Sequence, residues 1–270
     1  MLTVLSVIGT RPEAIKMAPV IKVLERHPER IRSVVCSTGQ HRELLDQVLG
    51  LFDITPDYDL NLMTANQGLA QLTARLFSAL DDVLERARPD CVLAQGDTTT
   101  VLVASLVSYY RHIPFGHVEA GLRTGDKRRP FPEEINRRLA DVVSDLYFAP
   151  TERSRRALLA EGCPDGDIVV TGNTVIDALL EIAARPYAWA SGPLARLPED
   201  ARFVLITAHR RESFGEQFRQ LCFAIRDLAR EFAKDGVRFV YPVHLNPTVR
   251  APVGESLSDT PTVTLMEPLD

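Results

Sequence analysis

The 270-residue chain holds 31 Lys and Arg against 36 Asp and Glu, which gives a net charge of −5, and 45% of its residues are apolar. This composition excludes a mainly disordered chain and argues against a general nucleic-acid coat. No apolar run reaches the roughly 18 residues of a membrane helix, and the first residues lack the features of a signal peptide. We therefore expect a cytoplasmic protein with neither a membrane nor a nucleic-acid partner and, at roughly 150 residues per domain, about two domains.

Short β-branched runs alternate with longer amphipathic stretches in the first part of the chain. This is the pattern of a parallel sheet covered by helices. The predicted strands are 2–8, 33–37, 91–94, 114–118, 146–148 and 168–170. Helices are predicted after residues 10 and 41, over 68–86 and 101–110, and from residue 133 onward. The four cysteines form no CxxC pair, and Cys36 and Cys91 lie in strand-like runs, which predicts buried small side chains rather than a zinc site or a disulfide framework.

A linker is predicted at 185–200, which contains three prolines and no clean hydrophobic period. The alternation then resumes with strands at 203–207, 237–243 and 263–266 and a helix at 214–234. The expected fold class is α/β, with a first Rossmann-like domain at 1–171 and the start of a second one at 172–270. The second domain looks incomplete, because it has three predicted strands where a doubly wound half usually has more.

Ligands of open parallel sheets bind beyond the carboxyl ends of the strands, and the unusual polar residues of this chain follow its strands. Gly9 turns the first strand into a helix, and Arg11 and Lys16 add positive charge. Such a turn can bind an anion through helix N-terminal N–H groups. A tight turn with solvated charges is the alternative.

Three carboxylates follow later strands. Asp97 either points into the ligand cleft or caps the helix that follows it. Glu119 ends an apolar strand, where a carboxylate needs a partner, so it is either a functional group or half of a structural ion pair. Glu133 and Glu134 open a helix, where acidic residues also favour the helix dipole.

Basic residues follow the first strand of the second part. His209, Arg210 and Arg211 suit a pyrophosphate, with a surface charge cluster as the alternative. His41 and His244 are either ligand contacts or ordinary polar residues. Cations beside carboxylates fit proton transfer next to a phosphate leaving group. Hydride transfer and serine hydrolysis do not fit, because the chain lacks GxGxxG and GxSxG.

Eight ordered segments carry a resemblance to one known family. They are GTRPEAIKMAP (9–19), TGQHRELLDQVL (38–49), QGDTTT (95–100), GHVEAGLRTGD (116–126), PFPEEINRR (130–138), TGNTVIDALL (171–180), AHRRESFG (208–215) and YPVHLNP (241–247). Together they resemble the bacterial non-hydrolysing UDP-N-acetylglucosamine 2-epimerases, and the resemblance runs from residue 3 to residue 270.

The resemblance implies two Rossmann-like domains of the glycosyltransferase-B type. It also implies a cytoplasmic homodimer that uses no cofactor and serves polysaccharide biosynthesis. Its partners would be UDP-GlcNAc, UDP-ManNAc and UDP. The implied reaction is reversible epimerisation at C2, by anti elimination of UDP to 2-acetamidoglucal followed by syn re-addition.

Residue roles follow from the same resemblance. The implied catalytic residues are Asp97, Glu119, Glu133 and His209, the last of these at the pyrophosphate. The implied substrate-binding residues are Arg11, Lys16, Arg210 and Arg211. Bacterial members hold a second UDP-GlcNAc as an allosteric activator, which implies roles for Gln40, His41, Gln67 and His244. Glu43 and Asn66 differ from the residues that some activated members carry.

Three alternatives remain at this point. The family continues beyond the motif that begins at Glu267, so the chain could be a truncated or non-catalytic remnant that binds a nucleotide sugar. It could also be a hydrolysing epimerase that releases ManNAc and UDP. A glycosyltransferase of the same fold is the third alternative.

Overall fold

The structure is a computed structural model that describes residues 1–39, 42–62, 67–189, 192, 194–195, 197–198, 200–208 and 214–268, with backbone only at 42–44. The chain divides into two compact units, Met1–Arg185 and Pro186–Asp270. Among the described residues, no helix combines the length and apolar character needed to cross a membrane.

The first unit is built on a seven-stranded sheet in which every neighbouring pair is parallel. Its strands are β1 (Leu2–Ile8), β2 (Ile31–Ser37), β3 (Tyr58–Asp59), β4 (Cys91–Gln95), β5 (Phe115–Val118), β6 (Leu146–Ala149) and β7 (Ile168–Val170). Their order across the sheet is β3-β2-β1-β4-β5-β6-β7. The helices are α1 (Arg11–Glu25), α2 (Arg42–Leu51), α3 (Leu69–Ala87), α4 (Thr99–Tyr110), α5 (Glu133–Val143), α6 (Glu152–Ala160) and α7 (Thr174–Ala183).

Both faces of this sheet are buried, which explains why its strands read as continuous apolar runs. Alternate residues of β1 point to opposite faces. Leu5 and Val7 belong to the core formed with α3 and α4. Val4 and Ile8 belong to the core formed with α1 and α2. The helices therefore cover the faces and leave the carboxyl ends of the strands for the polar residues.

The strand order reverses direction between β1 and β4, which is the topological switch point of the sheet. Gly9 follows β1 at this point. A Cβ atom on Gly9 would lie 2.5 Å from the Oγ1 of Thr100 and 2.8 Å from that of Thr38. Only glycine permits this close approach of the β1 end to the start of α4.

The second unit contains a three-stranded parallel sheet in the order β10-β9-β8. Its strands are β8 (Arg202–Leu205), β9 (Val237–Pro242) and β10 (Val263–Met266), and its helices are α8 (Glu216–Glu231) and α9 (Pro247–Leu257). Buried side chains of α8, α9 and β9 form its core, including Phe218, Tyr241 and Val253.

The predicted α/β fold class is confirmed, and the bounds predicted for β1, β7 and β10 coincide with those observed. The short strand β3 and the helices α6, α7 and α9 were not predicted. The helix predicted at 214–234 ends at Glu231, and Phe232–Asp235 forms a tighter 3₁₀ turn. Gly236 follows with a φ of 70°, a left-handed conformation that terminates the helical run.

The predicted domain boundary after residue 171 and the division by contacts fall at different places. Helix α7 packs on α1, and its Ala178 is buried in the same core as Ala14 of α1. The Arg185 guanidinium then donates to the Leu51 carbonyl at 2.6 Å. The first unit therefore extends to Arg185, where the predicted linker begins.

Candidate active site

The turn between β1 and α1 is closed by its own side chain. One Glu13 carboxylate oxygen accepts the Gly9 N–H at 2.6 Å and the Thr10 N–H at 2.8 Å. The other accepts the Thr98 hydroxyl. Glu13 is buried, and this burial raises the pKa of its carboxyl, although the hydrogen bonds oppose the shift. The backbone amides of Gly9 and Thr10, which could have bound an anion, therefore donate to Glu13 within the protein. Anion binding at this turn must depend on side chains.

Arg11 and Lys16 lie on the first turns of α1 and are both half-buried. The Lys16 ammonium contacts the Glu119 carboxylate, with 2.6 Å between Nζ and Oε2. In this structure Lys16 therefore neutralises a carboxylate of the same edge of the sheet. Its predicted contact with the nucleotide and that of Arg11 stay predictions.

Asp97 does not cap α4. The N-cap is Thr98, whose hydroxyl accepts the Val101 N–H, so the capping alternative for Asp97 is wrong. The Asp97 carboxylate instead accepts from Arg137, and the Asp97 carbonyl accepts from the Asn136 side chain at 3.0 Å. Both partners are buried residues of α5, so this helix holds the turn that carries Asp97.

At this edge of the sheet, the charges of two acidic side chains affect the pKa of a third. Burial raises the pKa of Asp97, and the charges of Glu133 and Glu119 raise it further, while Arg137 opposes the rise. Arg137 is itself buried, and among the described residues its Nε has no hydrogen-bond partner. The predicted catalytic acids Glu119 and Glu133 are thus close enough to Asp97 for their charges to raise its pKa.

Glu119 is held on both carboxylate oxygens. Its Oε2 accepts from Lys16 and Gln95, and its Oε1 accepts from the Asn173 side chain at 2.7 Å. Its backbone has a φ of 69°, in the left-handed region that most side chains avoid. Such conformations cost about 1–3 kcal/mol and concentrate at functional sites. The ion pair with Lys16 therefore does not exclude a functional role for Glu119, because the pair itself holds the Glu119 carboxylate at this edge of the sheet.

The two acids at the start of α5 have different surroundings. Glu134 is fully buried, and its oxygens accept the backbone N–H groups of Thr124 at 3.1 Å and Gly125 at 3.3 Å. Glu133 is half-buried and its charge acts on Asp97. Glu134 thus fixes a loop, which leaves Glu133 as the acid of this pair that can serve chemistry.

A buried ion pair lies behind the carboxylates. His117 of β5 is fully buried, and its Nδ1 lies 2.6 Å from Asp141 Oδ1 of α5. Its Nε2 lies 2.7 Å from the carbonyl oxygen of Gly96, next to Asp97. Burial lowers the pKa of His117, but Asp141 and the Gly96 carbonyl raise it, and the net direction is upward. Both ring nitrogens face acceptors, an arrangement that suits the protonated imidazole, because only that form donates from both nitrogens.

The predicted residues of the second unit are only partly described. His209, Arg210 and Arg211 lie outside the described residues, as do Gln40 and His41 of the first unit. Gln67 is half-buried just before α3. His244 is exposed, and its Nδ1 accepts the Asn246 N–H at 3.1 Å, beside the start of α9. The predicted allosteric set stays a prediction.

Several residues of this edge had no predicted role. Gln95 and Asn173 donate to Glu119, and Arg137 donates to Asp97. His117 and Asp141 hydrogen-bond to each other. Gln95 and His117 are polar residues within apolar strands, a signal that could have flagged both. No group of three His, Cys, Asp or Glu in the described part of the chain is arranged to hold a metal ion.

Comparison with known proteins gives a consistent result. The family model described as UDP-N-acetylglucosamine 2-epimerase matches residues 22–270. The UDP-N-acetylglucosamine 2-epimerase of Salmonella typhimurium is 50% identical over 273 aligned residues, which are 99% of this chain and 72% of the relative.

Solved structures agree with this match. The Neisseria meningitidis UDP-GlcNAc 2-epimerase, bound to UDP-GlcNAc, is 49% identical with a TM-score of 0.83, and the likeness covers 99% of this chain and 73% of that one. The UDP-GlcNAc 2-epimerase of Methanocaldococcus jannaschii is 30% identical with a TM-score of 0.85, over 100% and 74% of the two chains. The fold of this chain is therefore that of these nucleotide-sugar enzymes.

Proposed function

This chain belongs to the UDP-N-acetylglucosamine 2-epimerase family of isomerases, and from that premise we propose that it interconverts UDP-GlcNAc and UDP-ManNAc. The observation that supports the proposal is the convergence of Asp97, Glu119 and Glu133 at one edge of the sheet, where the charges of Glu133 and Glu119 act on Asp97. Carboxylates in such a cluster can serve as general acids and bases.

The proposed chemistry is an elimination followed by an addition. A carboxylate removes the proton from C2, the electron pair forms the C1–C2 double bond, and the bond from C1 to the UDP oxygen breaks. The products are 2-acetamidoglucal and UDP, the latter leaving with the bond electrons. UDP then re-adds at C1 while C2 receives a proton on its other face, so no redox cofactor is required.

We assign the two proton transfers at C2 to Asp97 and Glu119 and treat Glu133 as the third acid. The pKa of Asp97 is raised by burial and by its acidic neighbours, which suits a group that must hold and release a proton near neutral pH. Glu119 is fixed by Lys16, Gln95 and Asn173, which suits a group that must act at a defined distance.

Positive groups are proposed to meet the departing diphosphate. Arg11 and Lys16 are the proposed cations of the first unit, and His209, Arg210 and Arg211 those of the second. Cations that are placed where negative charge develops stabilise the transition state. We further propose that the protein is a cytoplasmic dimer. We also propose that a second UDP-GlcNAc binds as an allosteric activator, in contact with Gln40, His41, Gln67 and His244.

The test is proton NMR of UDP-GlcNAc in D₂O with the purified protein. UDP-ManNAc that carries deuterium at C2, with UDP and 2-acetamidoglucal as minor species, is expected. UDP-ManNAc without deuterium would overturn the elimination route. Free ManNAc and UDP without UDP-ManNAc would indicate a hydrolysing enzyme, and an unchanged substrate would overturn the proposed function.

A matched pair of variants sharpens this test. Asp97→Asn removes a proposed catalytic acid after the carboxyl end of β4. Asp90→Asn changes the same residue type just before the opposite end of that strand, where Asp90 accepts the Thr3 N–H at 2.7 Å. Deuterium incorporation should fall in Asp97→Asn alone, and equal losses in both variants would contradict the assignment.

A further inference from the structure

One buried carboxylate connects the turns that carry two of the proposed catalytic acids. Asp141 lies in the last turns of α5 and is 1% exposed. Its Oδ1 faces His117 at 2.6 Å. Its Oδ2 accepts the Gly121 N–H at 3.2 Å and an Arg123 N–H at 2.7 Å. Each oxygen of Asp141 therefore serves a different part of the chain.

The first branch leads to Asp97. Because His117 donates from Nδ1 to Asp141, its ring is oriented so that Nε2 reaches the Gly96 carbonyl at 2.7 Å. Gly96 has a φ of 91° and immediately precedes Asp97. The direction in which the chain leaves β4 therefore depends on a hydrogen bond that Asp141 orients.

The second branch leads to Glu119. Gly121 follows Glu119 by two residues and has a φ of 82°. A Cβ at Gly121 would lie 2.4 Å from the Ser154 carbonyl oxygen, so the chain is closely confined here. The hydrogen bond from the Gly121 N–H to Asp141 fixes the far side of the turn in which Glu119 adopts its left-handed conformation.

We propose that Asp141, acting partly through His117, is a positioning residue that sets the spacing between the Asp97 and Glu119 carboxylates. The inference rests on the proposed function and adds a residue to it. Asp141 and Glu133 lie on the same helix, α5. One rigid element therefore carries Glu133 and, through Asp141, is connected to the turns of Asp97 and Glu119. A site that transfers protons on opposite faces of one carbon needs such fixed spacing, since errors of about 1 Å can cost roughly 100-fold in rate.

The charges of the network are balanced inside the protein. Asp141 faces two cations, His117 and Arg123, and Arg123 also pairs with Glu161 at 2.7 Å. Burial opposes the ionisation of Asp141, but His117 and Arg123 lower the pKa of its carboxyl overall. An ionised Asp141 can accept from all three donors, which a neutral amide in its place cannot.

The decisive variants are Asp141→Asn and the pair His117→Gln and His117→Leu. Asp141→Asn keeps the size of the side chain but loses one of the two acceptor atoms. His117→Gln keeps a donor that can reach the Gly96 carbonyl, and His117→Leu removes it. Tyr147→Phe is the matched control, because the Tyr147 hydroxyl bonds the backbone carbonyls of Asp141 and Ser144 without touching either turn.

The expected result with UDP-GlcNAc is a separation of kcat from KM. Asp141→Asn and His117→Leu should lower kcat about 10- to 100-fold with KM changed little, because geometry rather than binding is lost. His117→Gln should recover a large part of kcat. Tyr147→Phe should retain kcat even if it lowers the melting temperature as much as Asp141→Asn does. Wild-type kcat in Asp141→Asn, or an equal loss in Tyr147→Phe, would overturn the proposal.

A second readout is independent of the reaction. Amide hydrogen exchange of Gly121 should accelerate in Asp141→Asn, and the backbone amide shift of Asp97 should move in His117→Leu, while both stay near wild type in Tyr147→Phe. If the wild-type protein fails to convert UDP-GlcNAc, the proposed function fails while these signals still decide the role of Asp141. Unchanged exchange and shifts would overturn that role even in an active enzyme.

Discussion

The turns after β4 and β5 each carry one acid at the carboxyl edge of the sheet, but they hold it differently. Asp97 follows Gly96, and in this turn it is the glycine that has a positive φ. The Asp97 side chain is 29% exposed and accepts from one guanidinium, that of Arg137. Glu119 takes the left-handed conformation itself, is 11% exposed, and accepts from three side chains.

The difference teaches how one edge can provide two kinds of acid. Many donors fix the orientation of a carboxylate, as at Glu119. Burial, together with acidic neighbours, leaves a carboxyl with a raised pKa, as at Asp97. The same sheet edge therefore combines one carboxylate of fixed orientation with one of raised pKa.

The largest expected effect comes from neutralising either acid. Asp97→Asn and Glu119→Gln should each lower turnover of UDP-GlcNAc by about 100-fold or more, the usual loss for a general acid or base. Binding of UDP, measured by titration calorimetry, should change little. Rates near wild type in both variants would contradict the assigned roles, and a loss in only one would show that the other turn is structural.

The next effect separates proton affinity from position. In Arg137→Met the cation that lowers the pKa of Asp97 is gone, so this pKa should rise further. The limb of the kcat pH profile that Asp97 governs should then move to higher pH, and Arg137→Lys should move it less. Arg153→Met, a change of an exposed arginine on α6, is the control, and an unmoved limb in Arg137→Met would contradict the comparison.

A smaller effect concerns stability against pH. His117 has a raised pKa in the folded protein, so its contribution is present in full below the unfolded value of about 6.5 and is lost as pH rises through the folded value. The difference in unfolding free energy between the wild type and His117→Gln should therefore shrink as pH rises from the unfolded pKa of about 6.5 through the raised folded pKa. Urea titrations at several pH values measure it.

The control for this experiment is Tyr147→Phe, whose stability difference should stay constant over the same range of pH. A constant difference for His117→Gln would show that His117 binds no additional proton in the folded state. The bracing of the Asp97 turn by an imidazolium would then be wrong.

The smallest effect tests whether Asp97 can replace the cap of α4. Thr98→Ala removes the N-cap hydroxyl, a loss of about 1 kcal/mol in unfolding free energy, together with the hydrogen bond that this hydroxyl donates to Glu13. Thr151→Ala removes a cap of the same type from α6, far from the acids in sequence. A negligible cost at Thr98 together with reduced turnover would show that Asp97 has turned to cap the helix.

Much of this arrangement was predictable from the sequence because it is local. Strand runs, helix periods and the placement of polar residues after strands are patterns of a few residues, and they placed Asp97 and Glu119 after their strands and Glu133 at a helix start, where the structure has them. The two-residue strand β3 and the polar start of α9 gave no comparable period.

The partners of the acids were not predictable in the same way. Arg137 lies 40 residues from Asp97, Gln95 lies 24 residues from Glu119, and Asn173 lies 54 residues from it. No periodicity links positions so far apart, because sheet order and helix packing bring them together. The capping alternative for Asp97 was likewise excluded by its neighbour Thr98, which is the N-cap.

The carboxylate of Glu13 occupies the amides of Gly9 and Thr10, where many nucleotide-binding folds place a phosphate. This turn thereby offers neither of those two amides to an anion, and any anion bound at the turn would depend on side chains. A backbone cradle is inherited with the fold, whereas side-chain cations can be gained or exchanged one codon at a time. Anion recognition at this turn can therefore be removed by a single substitution, which a backbone cradle would withstand.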